Sequence, residues 1–345
     1  MIKAKEENPL KQLKLKYYLI KGVIMSIEAN ELIKKAEEYY VDGVFEGTIE
    51  NFMKVYAQNP ELLSEENKEH FAKAIYEFNI MDSTFMTPEI DGSLILITRL
   101  VSQKDTRNGQ EDVYTDAIMT VLGYNKNQYE AKVKWYDKLD PKLLNPNIDR
   151  KNSYSLRDKW YSQSTIALLD DKEYKKCLEL SKEALEEIDG IMNDDEAWFK
   201  IRIAKANMNL GNFDEAVEYF KEGIKVKDGW SNKFAFAECY NMMGDKENAF
   251  KLALDAAVTD PKIKPLSKIH LYNLLMNLLL DNGYKEESNK VNELIFAIRF
   301  DSGEKAYEEE DDYKEYLEQL EDDKVDVKSI EESLMPTWRR ILREI

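Results

Sequence analysis

The sequence predicts an all-α protein, and two observations carry that prediction. Only 13 Gly and 8 Pro occur among the 345 residues, so long stretches lack the residues that interrupt helices. In addition, the stretch NLGNFDEAVEYFKEG at 209–223 has the pattern of a helix end, a turn and a new helix. Gly211 is the expected left-handed residue after the first helix, and Asp214 suits the positive end of the second. The stretch therefore predicts a helical hairpin.

The hairpin pattern recurs along the chain. Gly211 and Gly244 are 33 residues apart, and the small residues Ala216 and Ala249 repeat at the same distance. A small residue at this position allows the two helices to approach closely. Looser copies are predicted at 32–60, 161–185 and 270–296, and a further candidate at 111–141 lacks the turn glycine.

These residues resemble the tetratricopeptide repeat (TPR), a unit of about 34 residues whose paired helices stack on the next pair. The resemblance covers residues 26–296 with gaps and is clearest at 197–228 and 230–261. It implies a TPR-like α-α superhelix, that is, a right-handed solenoid of antiparallel helix pairs.

The chain is expected to divide into six segments, with its main boundary at a loop rich in Pro, Asn, Asp and Ser. The segments are an N-terminal arm at 1–25, an irregular TPR-like half at 26–140, the loop at 141–158, a regular TPR-like array at 159–300, an acidic segment at 301–332 and a C-terminal amphipathic helix at 333–345.

Negative charge is concentrated near the C-terminus. The chain carries 67 acidic and 49 basic residues, a net charge of -18, which disfavours nucleic acid as a partner. Residues 301–332 alone hold 15 Asp and Glu against 4 Lys. This segment is expected to be a solvated helix or linker. The alternative interpretation is contact with a basic partner.

The last predicted helix carries one apolar stripe, formed by Trp338, Ile341, Leu342 and Ile345. Pro336 is expected in the first turn of this helix. A helix of this kind either caps the open end of a helical array or docks into the groove of the array or into a partner. Docking into the groove would make the acidic segment and this helix a gate for ligand binding.

The cysteines and the N-terminus favour a cytoplasmic protein without membrane attachment. Cys177 and Cys239 form no CxxC pair and are expected to be buried thiols, which fits a reducing compartment. The apolar run near the N-terminus is too short to span a bilayer and lacks a small-residue cleavage site.

We found no motif for catalysis or metal binding. His70 and His270 are the only histidines, and the sequence lacks HExxH, phosphate-loop, dinucleotide and Cys/His metal patterns. The sequence therefore predicts no enzymatic activity, no metal and no cofactor.

The TPR resemblance implies where a ligand would bind, because in that family the first helix of each pair lines the concave groove. Aromatic and Asn side chains there suit an extended peptide, since Asn can pair with both backbone N–H and C=O groups. The candidate residues are Trp198, Ile201, Lys205, Asn209, Phe234, Glu238, Asn241, Asn273 and Asn277.

The function expected from these observations is a non-catalytic scaffold that binds a protein or peptide in the groove. The Lys, Asn and Arg set by which chaperone-binding members of the family hold a peptide carboxylate is not kept at Ala235 and Glu238. Two alternatives stay open. One is a regulatory subunit of an enzyme complex, such as a nuclease or kinase partner, and the other is an all-helical hydrolase.

Overall fold

The computed structural model describes residues 27–124, 128–147, 154–187, 193–303 and 326–345. Within these ranges the chain is all-helical and contains no strand. It forms two compact units that divide between Asp171 and Lys172. The all-α prediction is therefore confirmed for the described residues.

The first unit contains seven helices among its described residues. They are α1 (27–41), α2 (Phe45–Gln58), α3 (Glu65–Ile75), α4 (Pro88–Leu100), α5 (Val113–Leu122), α6 (Tyr129–Trp135) and α7 (Leu156–Asp170). A π-helical turn at Tyr76–Ile80 extends α3. Short 3-10 turns lie at Pro60–Leu62, Tyr136–Lys138 and Pro141–Leu143.

The second unit contains eight helices in its described part. They are α8 (Tyr174–Glu187), α9 (Asn193–Leu210), α10 (Phe213–Ile224), α11 (Trp230–Met243), α12 (Lys246–Val258), α13 (Ile269–Asp281), α14 (Lys285–Ser302) and α15 (Val327–Glu344).

Tight turns join three pairs of helices in the second unit: α9 with α10, α11 with α12, and α13 with α14. The turn glycines Gly211, Gly244 and Gly283 have φ values of 81°, 83° and 85°, a conformation that costs little only for Gly. Ala216 and Ala249 are fully buried. The hairpins predicted at 197–228 and 230–261 are therefore present, with the turn and the close-contact residue in the expected places.

The boundary between the units differs from the predicted one. A capping box, in which Ser155 Oγ accepts from the backbone N–H of Asp158, starts α7 inside the predicted loop at 141–158. The units separate after α7 rather than before it. As a result, the copy predicted at 161–185 is shared between the two units.

The C-terminal helix also starts earlier than predicted. It begins at Val327, after the N-cap Asp326, whose side chain accepts from the backbone N–H of Ser329 at 3.1 Å. Pro336 thus lies inside α15 and not in its first turn. The segment boundary predicted at 333 falls within the helix, and the one predicted at 301 falls within α14, which ends at Ser302.

Helix α15 packs against α12 and α14, the second helices of two successive hairpins. Trp338 is fully buried and stacks on Tyr272, with ring centroids 5.9 Å apart. The main contacts of α15 are thus with the second helices of two hairpins and not with the first helices that line the predicted groove. The predicted arm at 1–25 and residues 304–325 of the acidic segment lie outside the described residues.

Candidate functional site: the exposed face of α9, α11 and α13

One face of α9 and of α11 is used to hold the hairpins together. A Cβ at Gly223 would lie 2.7 Å from Ile201 Cγ1, so glycine permits the close approach of α10 to α9. Phe220 and Phe236 stack at 5.0 Å and join α10 to α11. Ala237 is fully buried in the core shared with α12. This packing determines which sides of α9 and α11 stay available to a ligand.

On α13 the buried side carries Leu271, Leu275 and Leu278, all fully buried. Ser288 of α14 donates its hydroxyl to the backbone carbonyl of Met276 at 2.9 Å. These contacts hold α13 against α14 and leave His270 and Asn277 exposed.

Three charged or titratable side chains from α9, α11 and α13 come together on the remaining face. Burial raises the pKa of the half-buried Glu238, and the nearby charges of His270 and Lys205 act in the opposite direction. Such interactions are strong only over short distances. We call the side of α9, α11 and α13 that carries these three residues the first-helix face.

Glu238 forms no hydrogen bond and no ion pair with any described residue. Its neighbours one turn away on α11 are Phe234, Ala235, Asn241 and Met242, and none of them is cationic. Glu238 thus differs from carboxylates such as Glu50, which pairs with Lys54 one turn away at 2.6 Å. The charges that act on Glu238 thus come from α9 and α13 and not from its own helix.

Three Asn side chains on this face share one arrangement. Asn209, Asn273 and Asn277 each donate the Nδ2 group to the carbonyl of the residue four positions earlier, at 2.8, 2.9 and 3.1 Å. Among the described residues, the Oδ1 atoms of these amides accept no hydrogen bond. They are therefore available as acceptors for donor groups of a ligand.

Aromatic side chains also contribute to the candidate set. Trp198 is 37% exposed, and the ammonium of Lys227 lies 5.6 Å from the centroid of its ring. Phe234 is half-buried one turn before Glu238. A ligand could gain apolar contact with either ring.

Ile201 and Asn241 are the two predicted residues whose contacts most reduce their availability to a ligand. Ile201 is only 1% exposed and packs behind Gly223, so its place in the candidate set is a correction: it belongs to the core between α9 and α10. Asn241 uses its Oδ1 to accept from the ammonium of Lys246 at 2.7 Å. Its amide is less available than those of the other three Asn residues.

The sequence interpretation missed His270 as part of the face. A signal existed, because His270 follows Glu238 by 32 residues and Glu238 follows Lys205 by 33, close to the repeat length. The change in spacing after Gly244 concealed it, since Gly283 follows only after 39 residues.

In the first unit, two pairs of titratable side chains are in direct contact. His70 Nδ1 lies 2.6 Å from Glu37 Oε2, and the His70 ring stacks on Tyr40 at 4.1 Å. Lys73 pairs with Glu77 at 3.0 Å. The side chains of these two pairs are therefore already engaged with each other.

No protein-family model matches this chain, and no curated protein matches it either. Among the described residues, no helix is long and apolar enough to cross a membrane. The same residues contain no group of three or more His, Cys, Asp and Glu side chains placed to hold a metal ion.

Proposed function

We propose that this protein is a non-catalytic, cytoplasmic scaffold that binds a protein or peptide segment along the first-helix face. In this proposal the hairpins of the second unit stack as a TPR-like superhelix, and α9, α11 and α13 line its groove. The observation that carries the proposal is the meeting of Lys205, Glu238 and His270, which come from three successive hairpins.

The chemistry of the face suits an extended segment. The free Oδ1 atoms of Asn209, Asn273 and Asn277 are acceptors that backbone N–H groups of a peptide can use. The exposed part of Trp198 offers apolar area at one end. A rigid set of acceptors lowers the entropic cost of binding, because the helices do not need to reorganise.

The packing of α15 supports a groove that stays accessible. Leu334, Met335 and Trp338 of this helix belong to the core that α12, α13 and α14 share. These contacts engage the apolar side of α15 and support a first-helix face that this helix leaves accessible.

A selection from a random-peptide display library against the full chain tests the proposal. Selected peptides are synthesised, and their Kd values are measured by fluorescence anisotropy. Asn277→Tyr places bulk on the face at an exposed position and should weaken binding about tenfold or more. The matched control is Asn289→Tyr, at an exposed position of α14, and it should leave the Kd unchanged.

Two results would contradict the proposed function. If the library yields no peptide that binds in solution, or if both Asn variants bind a selected peptide as well as the wild type does, the first-helix face is not a peptide-binding groove.

A further inference from the structure

We propose that the groove between α10 and α12 is a second docking site, and that it takes an acidic amphipathic helix of a partner protein. We call it the α10–α12 groove. It is bounded by the second helices of two successive hairpins, whereas the first-helix face is carried by the first helices. The site is therefore separate from the first-helix face and does not depend on the function proposed for that face.

The α10–α12 groove is an open cavity of about 480 Å³ with an apolar lining. The lining consists of Ile224 from α10, Phe236 from α11 and Leu252 from α12. Phe236 is held in place by stacking on Phe220 at 5.0 Å, and Ile224 and Leu252 are half-buried beside the same core. The two half-buried side chains leave apolar surface in contact with water, and a ligand that covers this surface gains free energy.

The next groove along the chain is already occupied by a helix. Helix α15 packs against α12 and α14, which are again the second helices of two successive hairpins. Its Trp338 stacks on Tyr272 of α13, the first helix of the later hairpin, with ring centroids 5.9 Å apart. Both grooves thus have walls from two second helices and an aromatic ring from the first helix of the later hairpin. The occupied groove indicates that the α10–α12 groove also fits an amphipathic helix with an aromatic residue in its apolar stripe.

The charges around the α10–α12 groove favour an acidic ligand. Lys221 and Lys225 of α10 are exposed and line the groove. The acidic residue that lines it, Asp228, pairs with Lys233 at 2.8 Å. Lys221 pairs with Glu218 at 3.0 Å, an exposed contact that a ligand carboxylate can share.

The same charges disfavour the α15 helix of a second copy as the occupant. Arg339, Arg340 and Arg343 are exposed beside the apolar stripe of α15. In its own groove α15 meets Glu287 of α14, whose carboxylate lies 3.5 Å from the Arg340 guanidinium. In the α10–α12 groove these arginines would meet lysines as like charges. The partner helix is therefore expected to carry Asp or Glu where α15 carries Arg.

The test compares two synthetic peptides that bind to the full chain. The parent peptide has the sequence of residues 326–345 with Pro336→Ala, which favours the helix. The acidic peptide adds Arg339→Glu, Arg340→Glu and Arg343→Glu. By fluorescence anisotropy at physiological ionic strength, we expect the acidic peptide to bind at least tenfold more tightly than the parent. The net charge of -18 alone would give the opposite order.

Charge reversal in the protein locates the binding site. Lys225→Glu should weaken the binding of the acidic peptide about tenfold and should strengthen the binding of the parent peptide. The matched control is Lys34→Glu, which changes the net charge equally at an exposed position of α1. This control should leave both Kd values unchanged.

Several results would overturn the proposal. No binding of the acidic peptide, or equal losses in the Lys225→Glu and Lys34→Glu variants, would show that the α10–α12 groove is not its site. Tighter binding of the parent peptide would favour a second copy, through its α15, as the occupant. Asn277→Tyr should leave the affinity for the acidic peptide unchanged, and a loss there would place this peptide on the first-helix face instead.

Discussion

Two carboxylates of the second unit, Glu331 and Glu238, stand in opposite situations. Glu331 of α15 is fully buried, accepts from the Tyr272 hydroxyl at 2.5 Å and from the Lys328 ammonium at 2.6 Å, and lies 3.8 Å from Lys268 Nζ. Glu238 of α11 is half-buried and lacks such contacts in the described structure. Glu331 connects α15 to α13 through Tyr272, whereas Glu238 has no such contact with another helix in the described structure.

Under the proposed function, the region of Glu331 serves stability and the region of Glu238 serves binding. A buried carboxylate with several donors holds two elements together, because either partner alone would be an uncompensated buried charge. A desolvated carboxylate without a donor is unfavourable for folding and persists most readily where a ligand completes it. Substitutions at the two positions should therefore separate stability from binding.

The largest expected effect is at Glu331, where α15 packs on the rest of the second unit. Glu331→Gln leaves the fully buried ammonium of Lys268 without its counter-charge and should lower the free energy of unfolding by about 3–5 kcal/mol. Urea denaturation followed by circular dichroism measures this. Glu332→Gln, at the exposed neighbouring position, is the control and should change little.

A paired variant sharpens the same prediction. Replacing both members with apolar residues, Glu331→Leu with Lys268→Met, should recover much of the lost stability, since no buried charge then stays unpaired. Equal losses in the single and double variants would show that packing, not charge compensation, explains the effect at Glu331.

An effect of intermediate size on stability is expected at Gly223, where α10 packs closely against α9. Gly223→Ala would place a Cβ 2.7 Å from Ile201 Cγ1 and 3.2 Å from the carbonyl oxygen of Ala197. This overpacking should cost about 1–3 kcal/mol. Gly92→Ala in α4 is the matched control, because nothing lies within 4 Å of a Cβ there, and it should stabilise slightly. Differential scanning calorimetry gives the melting temperatures of both variants. Equal changes in melting temperature would contradict the close α9–α10 contact.

How far the sequence predicted the molecule depends on the range of the interactions involved. The turns at Gly211 and Gly244 follow from local backbone conformation and were predictable. Ile201 was assigned to the wrong side of α9, because a helix turns about 100° per residue and short patterns do not define a face sharply. The close contact of Ile201 with Gly223 becomes visible only from the distance between the two helices.

The start of α15 shows a second limit. Pro336 has the signature of a first-turn residue, but the buried positions continue upstream through Leu334, Glu331 and Val327 and hold the longer helix in place. Pro336 and Glu332, four residues before it, are both exposed, so the backbone bond that proline removes lies on the solvent side. A buried Glu within an apolar stripe is a tertiary feature, and sequence periodicity does not reveal it.

The smallest expected effect on stability is at Glu238. Glu238→Gln removes an unpaired charge, so at neutral pH the variant should be as stable as the wild type or gain about 0.5 kcal/mol or less. The pKa of Glu238 is raised in the folded protein, mainly by burial. The folded state therefore binds a proton more tightly than the unfolded state, and the contribution of this group falls as the pH rises through its raised pKa.

The difference in unfolding free energy between the Glu238→Gln variant and the wild type should change with pH in one direction. Unfolding free energies measured from pH 4 to pH 8 should shift in favour of the Glu238→Gln variant as the pH rises above the ordinary Glu range. The opposite trend, with the wild type gaining stability relative to the variant, would show that Glu238 has a stabilising partner and would remove the contrast with Glu331.

The most direct test of the central claim is to map where a selected peptide binds. A peptide that carries a photoreactive benzophenone is cross-linked to the full chain, and the modified residues are identified by mass spectrometry. We expect adducts on α9, α11 and α13, around Lys205, Glu238 and Asn277. Adducts confined to the first unit or to α15 would contradict the assignment of the first-helix face as the binding surface.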